Sequence, residues 1–375
     1  MKIRIVHIQV LPILSGVQNI SLQILSQLDS EKYEKYFICA ADSIESTAFA
    51  EQFSLAGVTI LRLKNLRREI GLHDAKVLWE LYRLCREHNF DIVHTHSTKP
   101  GIVGRIASRV AGVKAVIHTV HGVAFHNNET PAKRVLYYAA EFLAGLFGHY
   151  ITSVNHYYLR YFRWFPNKNI SVIHNGVDIN VPRLQREQIC NLNGIKTILF
   201  LSRLDKAKDP MTLLAAINIL ANKFNRCDFI LNIAGDGEYL AEAQEYVKTQ
   251  KISDHVQFLG WVNDKETVYR NADIFCVPSI FEAFGLVFAE AGLYELPTLA
   301  TNVEGIPEVI KDGHTGILVE SQDPMALATG LVKLLDEPDL RKTLGQNARQ
   351  YVIKNFSNIR MFESYQQLYI DALNK

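Results

Sequence analysis

Cysteine is scarce in this 375-residue chain, and what there is has no pattern. Cys39, Cys85, Cys190, Cys227 and Cys276 are odd in number, widely spaced, and never form a C-x-x-C pair or a Cys/His cluster of zinc-ligand spacing. They read as reduced thiols of a cytoplasmic protein. Long apolar runs are also lacking. The longest, Val135 to Ile151 (VLYYAAEFLAGLFGHYI), is interrupted by Glu141 and His149 and falls short of the about 20 residues that span a bilayer. The N-terminal MKIRIVHIQVLPIL carries His7 and Gln9 and has no small-residue cleavage site, so it reads as a buried first strand rather than a signal peptide. No internal repeat and no low-complexity tract is present, which excludes solenoids and propellers. No zinc finger, helix-turn-helix or RNP-like aromatic strand appears, so no nucleic-acid partner is expected.

Net charge is small, +1, but unevenly placed. Residues 1–180 hold 20 Lys and Arg against 14 Asp and Glu, and residues 181–375 hold 20 against 25. A basic front half suits phosphates or an anionic bilayer surface, Arg62–Arg68 (RLKNLRR) being its densest part. A solvated basic face is the plainer reading.

What the chain does have is a regular alternation of short β-branched or apolar runs with longer segments of helical period, the rhythm of parallel sheets covered by helices. With 48% hydrophobic and 21% charged residues, the composition is that of an ordinary folded protein, and the length suits two domains. Strands are expected at Ile3–Val10, Tyr36–Ala41, Thr59–Leu63, Ile92–Thr95, Ala115–Thr119, Tyr150–Val154 and Ile170–Ile173. A second series follows at Thr197–Ser202, Phe229–Ala234, Val256–Leu259, Ile274–Val277, Thr298–Ala300 and Gly316–Val319. Between the series, at about residues 176–196, periodicity gives way to Asn, Gly and Pro. The expected architecture is α/β, with two Rossmann-like doubly wound domains, 1–178 and 179–355, facing a cleft. Ligands of such sheets bind at the carboxyl ends of strands, beside helix N-termini.

Two segments after strands carry candidate chemistry. Pro278–Ala291 (PSIFEAFGLVFAEA) places Glu282 in a loop and Glu290 in the helix that follows. One carboxylate there can accept hydroxyl hydrogen bonds from a ribose, the other from a sugar. Ser202–Pro210 (SRLDKAKDP) holds Arg203 and Lys208, five apart in a strand-to-helix loop. Such a pair can converge on a diphosphate, or can be an ordinary basic surface loop.

These residues, taken together, resemble the retaining glycosyltransferases of family 4. The resemblance rests on E-x7-E as Glu282 and Glu290, on R-L-x-x-x-K as Arg203 and Lys208, and on Asn175-Gly176-Val177-Asp178. Gly235-Asp236-Gly237-Glu238, Asn302-Val-Glu-Gly305-Ile-Pro-Glu308 and Asp312-Gly313 with Gly316 add to it. In the first half, His94-Thr-His96-Ser-Thr-Lys99-Pro-Gly101 and His118-Thr-Val-His121-Gly122 with His126 resemble the branch that builds capsule and O-antigen chains. The resemblance implies the GT-B fold, with a last helix, 356–375, packing back on the first domain.

It also implies roles. Glu290 would bind the ribose, Arg203 and Lys208 the donor diphosphate, and Glu282 the donor sugar. The amides around Phe284, Gly285 and Leu286, together with Gly235, would contact sugar and phosphate. His121 would lie near the donor sugar, and Gly16 would let the first loop approach the phosphates. His121, Glu282, Arg203 and Lys208 form the expected catalytic set. Ser202, Asp209, Ser15 and Ala283 stand where the family often has glycine, so the Asp209 carboxylate should point away from the phosphates.

The mechanism so implied is leaving-group stabilisation by preorganised cations and amides. The acceptor hydroxyl attacks from the face the leaving group vacates, and a double displacement through Glu282 is the competitor. No two aspartates are one residue apart, so the D-x-D metal clamp is missing. We expect no metal and no cofactor, the nucleotide-sugar being a substrate. The eleven histidines of residues 1–180 read as core or acceptor-side groups. The expected donor is a UDP-hexose or UDP-N-acetylhexosamine, and the expected acceptor a lipid-linked, undecaprenyl-type saccharide of surface polysaccharide synthesis.

Lys99, Arg105 and His126 are the acceptor-side candidates. The Lys133–Ile151 segment with Tyr137, Tyr138 and Phe142 either binds the lipid at the cytoplasmic face of the inner membrane or simply covers the sheet. The alternatives are a transferase or epimerase of the same fold acting on a soluble molecule, and a noncatalytic nucleotide-sugar binding protein. The presence of all four motif residues favours transfer.

Overall fold

The computed structural model describes residues 2–41, 46–67, 71, 73–126, 129–165, 169–183 and 194–374. Cys190, Arg68 and residues 184–193 of the expected linker lie outside them. The chain divides into two units, Met1–Gly176 with Asn358–Lys375, and Val177–Ser357.

The first unit contains β1 (Ile3–Ile8), α1 (Gly16–Gln27), β2 (Tyr33–Ala40), α2 (Thr47–Leu55), β3 (Val58–Leu63), α3 (Asp74–His88) and β4 (Ile92–His96). There follow α4 (Thr98–Val110), β5 (Ala115–Val120), α5 (Pro131–Gly145), β6 (Tyr150–Ser153), α6 (Leu159–Phe162) and β7 (Ile170–Val172). All strands are parallel, in the order β3-β2-β1-β4-β5-β6-β7. Central strands are covered on both faces, which is why β4 and β5 are buried at every position and read as continuous runs. Strand β2 starts at Tyr33, earlier than expected, because the charged Lys35 is buried there with its ammonium on the Leu28 carbonyl.

The second unit contains β8 (Lys196–Leu201), α7 (Pro210–Asn218), β9 (Phe229–Ala234), α8 (Leu240–Thr249), β10 (Val256–Gly260), α9 (Lys265–Arg270) and β11 (Ile274–Val277). It continues with α10 (Leu286–Leu293), β12 (Thr298–Thr301), α11 (Ile306–Val309), β13 (Gly316–Val319), α12 (Pro324–Asp336) and α13 (Pro338–Asn355). Its parallel order is β10-β9-β8-β11-β12-β13. The chain then returns to the first unit as α14 (Asn358–Leu373), which buries Met361, Tyr365, Leu368, Tyr369 and Ala372, a stripe of helical period.

Each sheet reverses its winding once, between β1 and β4 in the first unit and between β8 and β11 in the second. Loops diverge at such a point and leave a crevice at the carboxyl ends of the strands. Among the described residues no helix is long and apolar enough to cross a membrane.

Candidate active site

In the second unit the reversal gathers the loops after β8, β9 and β11. The Ile280 amide donates to the Ala207 carbonyl at 2.8 Å, tying the β11 loop to the β8 loop. The Leu204 amide donates to the Asp236 carbonyl at 2.9 Å, tying the β8 loop to the β9 loop. A Cβ on Gly235 would stand 1.9 Å from the Ser202 carbonyl oxygen, so only glycine permits this approach.

On this frame Lys208 and Glu282 form an ion pair, with side chains 13% and 15% exposed. Arg203 is more open, at 67%, and its guanidinium meets the Asp205 carboxylate at 2.9 Å. Asp209 has φ +48° and caps α7, its carboxylate accepting from the Thr212 amide at 3.1 Å and from the Thr212 hydroxyl at 2.6 Å. Its charge is thus turned onto the helix end, as the resemblance required. The left-handed backbone also accounts for the family's glycine at this place.

Gly285, φ +80°, is the N-cap of α10. A Cβ there would stand 2.4 Å from the Phe288 ring. The turn brings the first amides of α10, from Leu286 on, to the same end of the sheet as Glu282. Phe284 is buried, its ring edge-on to Phe356. Glu290, within α10, accepts from the Tyr269 hydroxyl at 3.0 Å and from the Lys265 ammonium at 3.3 Å. An open depression of about 460 Å³ where these loops meet is lined by Arg203, Asp205, Lys206, Ala207, Asp236, Gly237, Glu238 and Phe281.

Three partners were not singled out from sequence. Tyr269 and Lys265 hold Glu290, and the Glu304 carboxylate accepts the Glu282 amide at 3.1 Å. Only Glu304 had a sequence signal, its place in the Asn302–Glu308 motif. Tyr269 and Lys265 lie in a short helix whose sequence has no periodic signature of a site.

In the first unit, Gly16 opens α1 behind the exposed Ser15, and no acidic residue occupies that first turn. His121 follows β5 and its Nε2 lies 2.9 Å from His96 Nδ1. Burial pushes the His121 imidazole down to about 3, which keeps it neutral. His126 is half-buried in the same loop.

Two acceptor-side candidates are buried in ion pairs. Arg105 is fully buried, donating to the Gly101 carbonyl at 2.6 Å and to the Glu141 carboxylate at 2.6 Å. It neutralises Glu141, which lies beside His118, and so explains how a carboxylate sits in an apolar helix. Lys99 is 7% exposed and is held by Asp74 at 2.8 Å and His73 at 2.9 Å. Arg105 thus has no surface to offer a ligand, and Lys99 is engaged by Asp74 and His73 in this structure.

His7, His94 and His96 each bring a ring nitrogen within 4.8 Å of the others, a spacing that could hold a cation. Those nitrogens are hydrogen-bonded to Ser21, Tyr369, Thr119, His121 and one another, so the trio forms a satisfied polar core.

Two all-parallel doubly wound units, with paired acid and base at the second unit's reversal, define the class of GT-B glycosyltransferases. The description "Glycosyltransferase Family 4" matches residues 14–181 and "Glycosyl transferases group 1" matches residues 184–351. An Escherichia coli protein, UDP-Gal:alpha-D-GlcNAc-diphosphoundecaprenol alpha-1,3-galactosyltransferase, is 31% identical over 99% of this chain and 98% of its own. The Staphylococcus aureus capsular polysaccharide biosynthesis glycosyltransferase CapM is 26% identical over 81% of this chain and 83% of its own. Anabaena Alr3699/HepE, solved with UDP and glucose, shares the fold with a TM-score of 0.82 at 18% identity, covering 98% of this chain and 99% of its own. The chain belongs to glycosyltransferase family 4 and is a hexosyltransferase.

Proposed function

We propose that the enzyme moves a hexosyl group, with retention, from a UDP-sugar to a hydroxyl of a saccharide carried on a lipid diphosphate, in the assembly of a bacterial surface polysaccharide. The observation that carries this reading is the Lys208–Glu282 pair beside the Gly285 turn. A nucleoside diphosphate leaving with extra negative charge needs a cation and unpaired amides aimed at it, and this place offers both. Arg203 is the second cation, and Glu290 the ribose acceptor. Lys208 holds the Glu282 carboxylate by charge, which favours positioning of sugar hydroxyls over nucleophilic attack by Glu282, and hence same-face transfer.

The acceptor class is supported by the Escherichia coli relative, whose name specifies a diphosphoundecaprenol substrate. It is supported too by α5, where Val135, Leu136 and Leu143 are 70%, 64% and 57% exposed. An apolar groove of about 330 Å³ there is lined by Phe125, Pro131, Arg134, Val135, Tyr138 and Tyr161. A helix with exposed aliphatic groups beside Lys133 and Arg134 suits the surface of an anionic bilayer, so the enzyme works as a peripheral protein at the cytoplasmic face.

The test is transfer from a panel of UDP-hexoses and UDP-N-acetylhexosamines to a synthetic polyprenyl-diphosphate GlcNAc, with product linkage read by NMR. An α-linked product formed equally well in a chelator, and enzyme floating with anionic vesicles, are expected. A β-linked product, or transfer only to water-soluble acceptors, would overturn the reading.

A further inference from the structure

The loop after β5 and the start of α5 enclose the apolar groove of about 330 Å³. Pro131, Arg134, Val135 and Tyr138 recur at spacings of three and four, so they share one side of α5 and form one wall. Tyr161 of α6 forms the other. Phe125 is the floor between them. It is 4% exposed, and its ring stands edge-on to Tyr138 and to Tyr161, with centroids 5.4 Å apart in each case.

Arg134 is the charged member of this lining. It is half-buried, and among the described residues no carboxylate meets its guanidinium, whereas its neighbour Lys133 has Glu129 at 3.9 Å. A cation partly withdrawn from water beside aromatic rings is stabilised by an anion that shares its site, and the protein supplies none. The occupant that complements this groove is therefore a hydrocarbon chain with an anion directly at its end. A groove of this size suits a small molecule and falls far short of the area that a protein partner needs. Phe125 stands four positions after His121, so the groove is built on the loop at the carboxyl end of β5.

We propose that this groove binds the lipid part of the acceptor, its walls taking the first units of the polyprenyl chain and Arg134 the diphosphate, with the saccharide directed to the His121 end of the loop. The identity of the ligand rests on the proposed function. Arginine suits the place because its planar fork meets two phosphate oxygens at once. Leu143 and Leu146, exposed further along α5, extend the apolar surface for the rest of the chain. The helix thus binds one lipid molecule in a defined site, which is a different task from lying on a bilayer.

The test is calorimetric titration of the full chain with farnesyl diphosphate, a short water-soluble isoprenoid diphosphate, with saturating UDP present to occupy the donor site. One-to-one saturable binding is expected, with inorganic diphosphate and farnesol each on the order of tenfold weaker or more, because each offers only part of what the groove recognises. Arg134→Gln should weaken farnesyl diphosphate by about tenfold, the low end of losing a charge-assisted hydrogen bond. Val135→Asp, at a position 70% exposed and so outside the core, should weaken it at least as much, by setting a like charge beside the diphosphate. Both variants should bind UDP as the wild type does, which shows an intact fold. Absence of saturable binding, or binding that Arg134→Gln leaves unchanged, would overturn the proposal. Partition into anionic vesicles without saturable binding in water would make α5 a bilayer anchor only and would overturn it too. Saturable binding by a protein that transfers no sugar to a lipid-linked acceptor would leave the groove standing and remove the proposed function. Transfer to polyprenyl-diphosphate GlcNAc with an acceptor KM unmoved by Arg134→Gln would keep that function and remove the groove.

Discussion

Lys208 and Glu282 neutralise each other in a partly buried loop, and the two ends of that bond predict different losses from those at Glu290. A diphosphate competes with Glu282 for the Lys208 ammonium, and the competition is won as charge builds on the leaving group. Lys208→Ala should therefore lower kcat by roughly 100-fold or more, the scale of losing one preorganised donor in a transition state. Circular dichroism should remain native; wild-type turnover in a folded variant would remove Lys208 from the phosphate site. Glu290 is held by Tyr269 and Lys265 before any nucleotide arrives, so it acts as a fixed acceptor in ground and transition states alike. Glu290→Ala should weaken UDP binding by about tenfold, the low end of a charge-assisted hydrogen bond, and change kcat little. Calorimetry with UDP checks this, and unchanged affinity would refute the ribose assignment.

At the scale of elements, α7 shows how a family's glycine can be replaced without losing the turn. Asp209 spends a strained left-handed φ of +48° to place its carboxylate on the Thr212 amide. Asp209→Gly should relieve the strain while losing the cap, a net change of only a few tenths of a kcal/mol. Asp209→Ala keeps the strain and loses the cap, and should cost about 1 kcal/mol or more. Urea denaturation of the two variants separates these, and equal stabilities would mean that the left-handed backbone at this position costs nothing. The strands were legible because continuous apolar runs such as ILFL at Ile198–Leu201 and IFCV at Ile274–Val277 are buried on both faces. The Glu282, Lys208 and Gly285 loop was legible because strand ends and helix starts flank it. The burial of Arg105 and Lys99 was not legible because a cation in a sequence carries no record of its partner. Asp74 stands 25 positions from Lys99, and Glu141 stands 36 positions from Arg105. The Tyr365 and Tyr369 hydroxyls were invisible for the same reason, since they meet the sheet across more than half the chain.

For the whole molecule, the first unit carries an acid liability that follows from its buried histidines. His7, His94, His96, His118 and His121 all lie in Met1–Gly176, and burial holds each below the ordinary value of 6.5, with His7 and His121 pushed down to about 3. In the unfolded chain these imidazoles protonate near 6.5, whereas in the folded unit they stay neutral. The unfolded state therefore binds more protons below that pH, and stability rises with pH up to about 6.5 and is lost as pH falls beneath it. Each such histidine contributes up to about 1.4 kcal/mol per pH unit in that window. Hydrogen exchange of the full chain between about pH 5 and pH 7, corrected for intrinsic rates, should show protection falling on acidification in β1, β4 and β5 while β8, β9 and β11 keep theirs. His118→Gln, which removes one titrating group, should flatten the slope by about one proton's worth. Protection in β1, β4 and β5 that is independent of pH across this range would mean that these histidines titrate in the folded unit as they do in the unfolded chain.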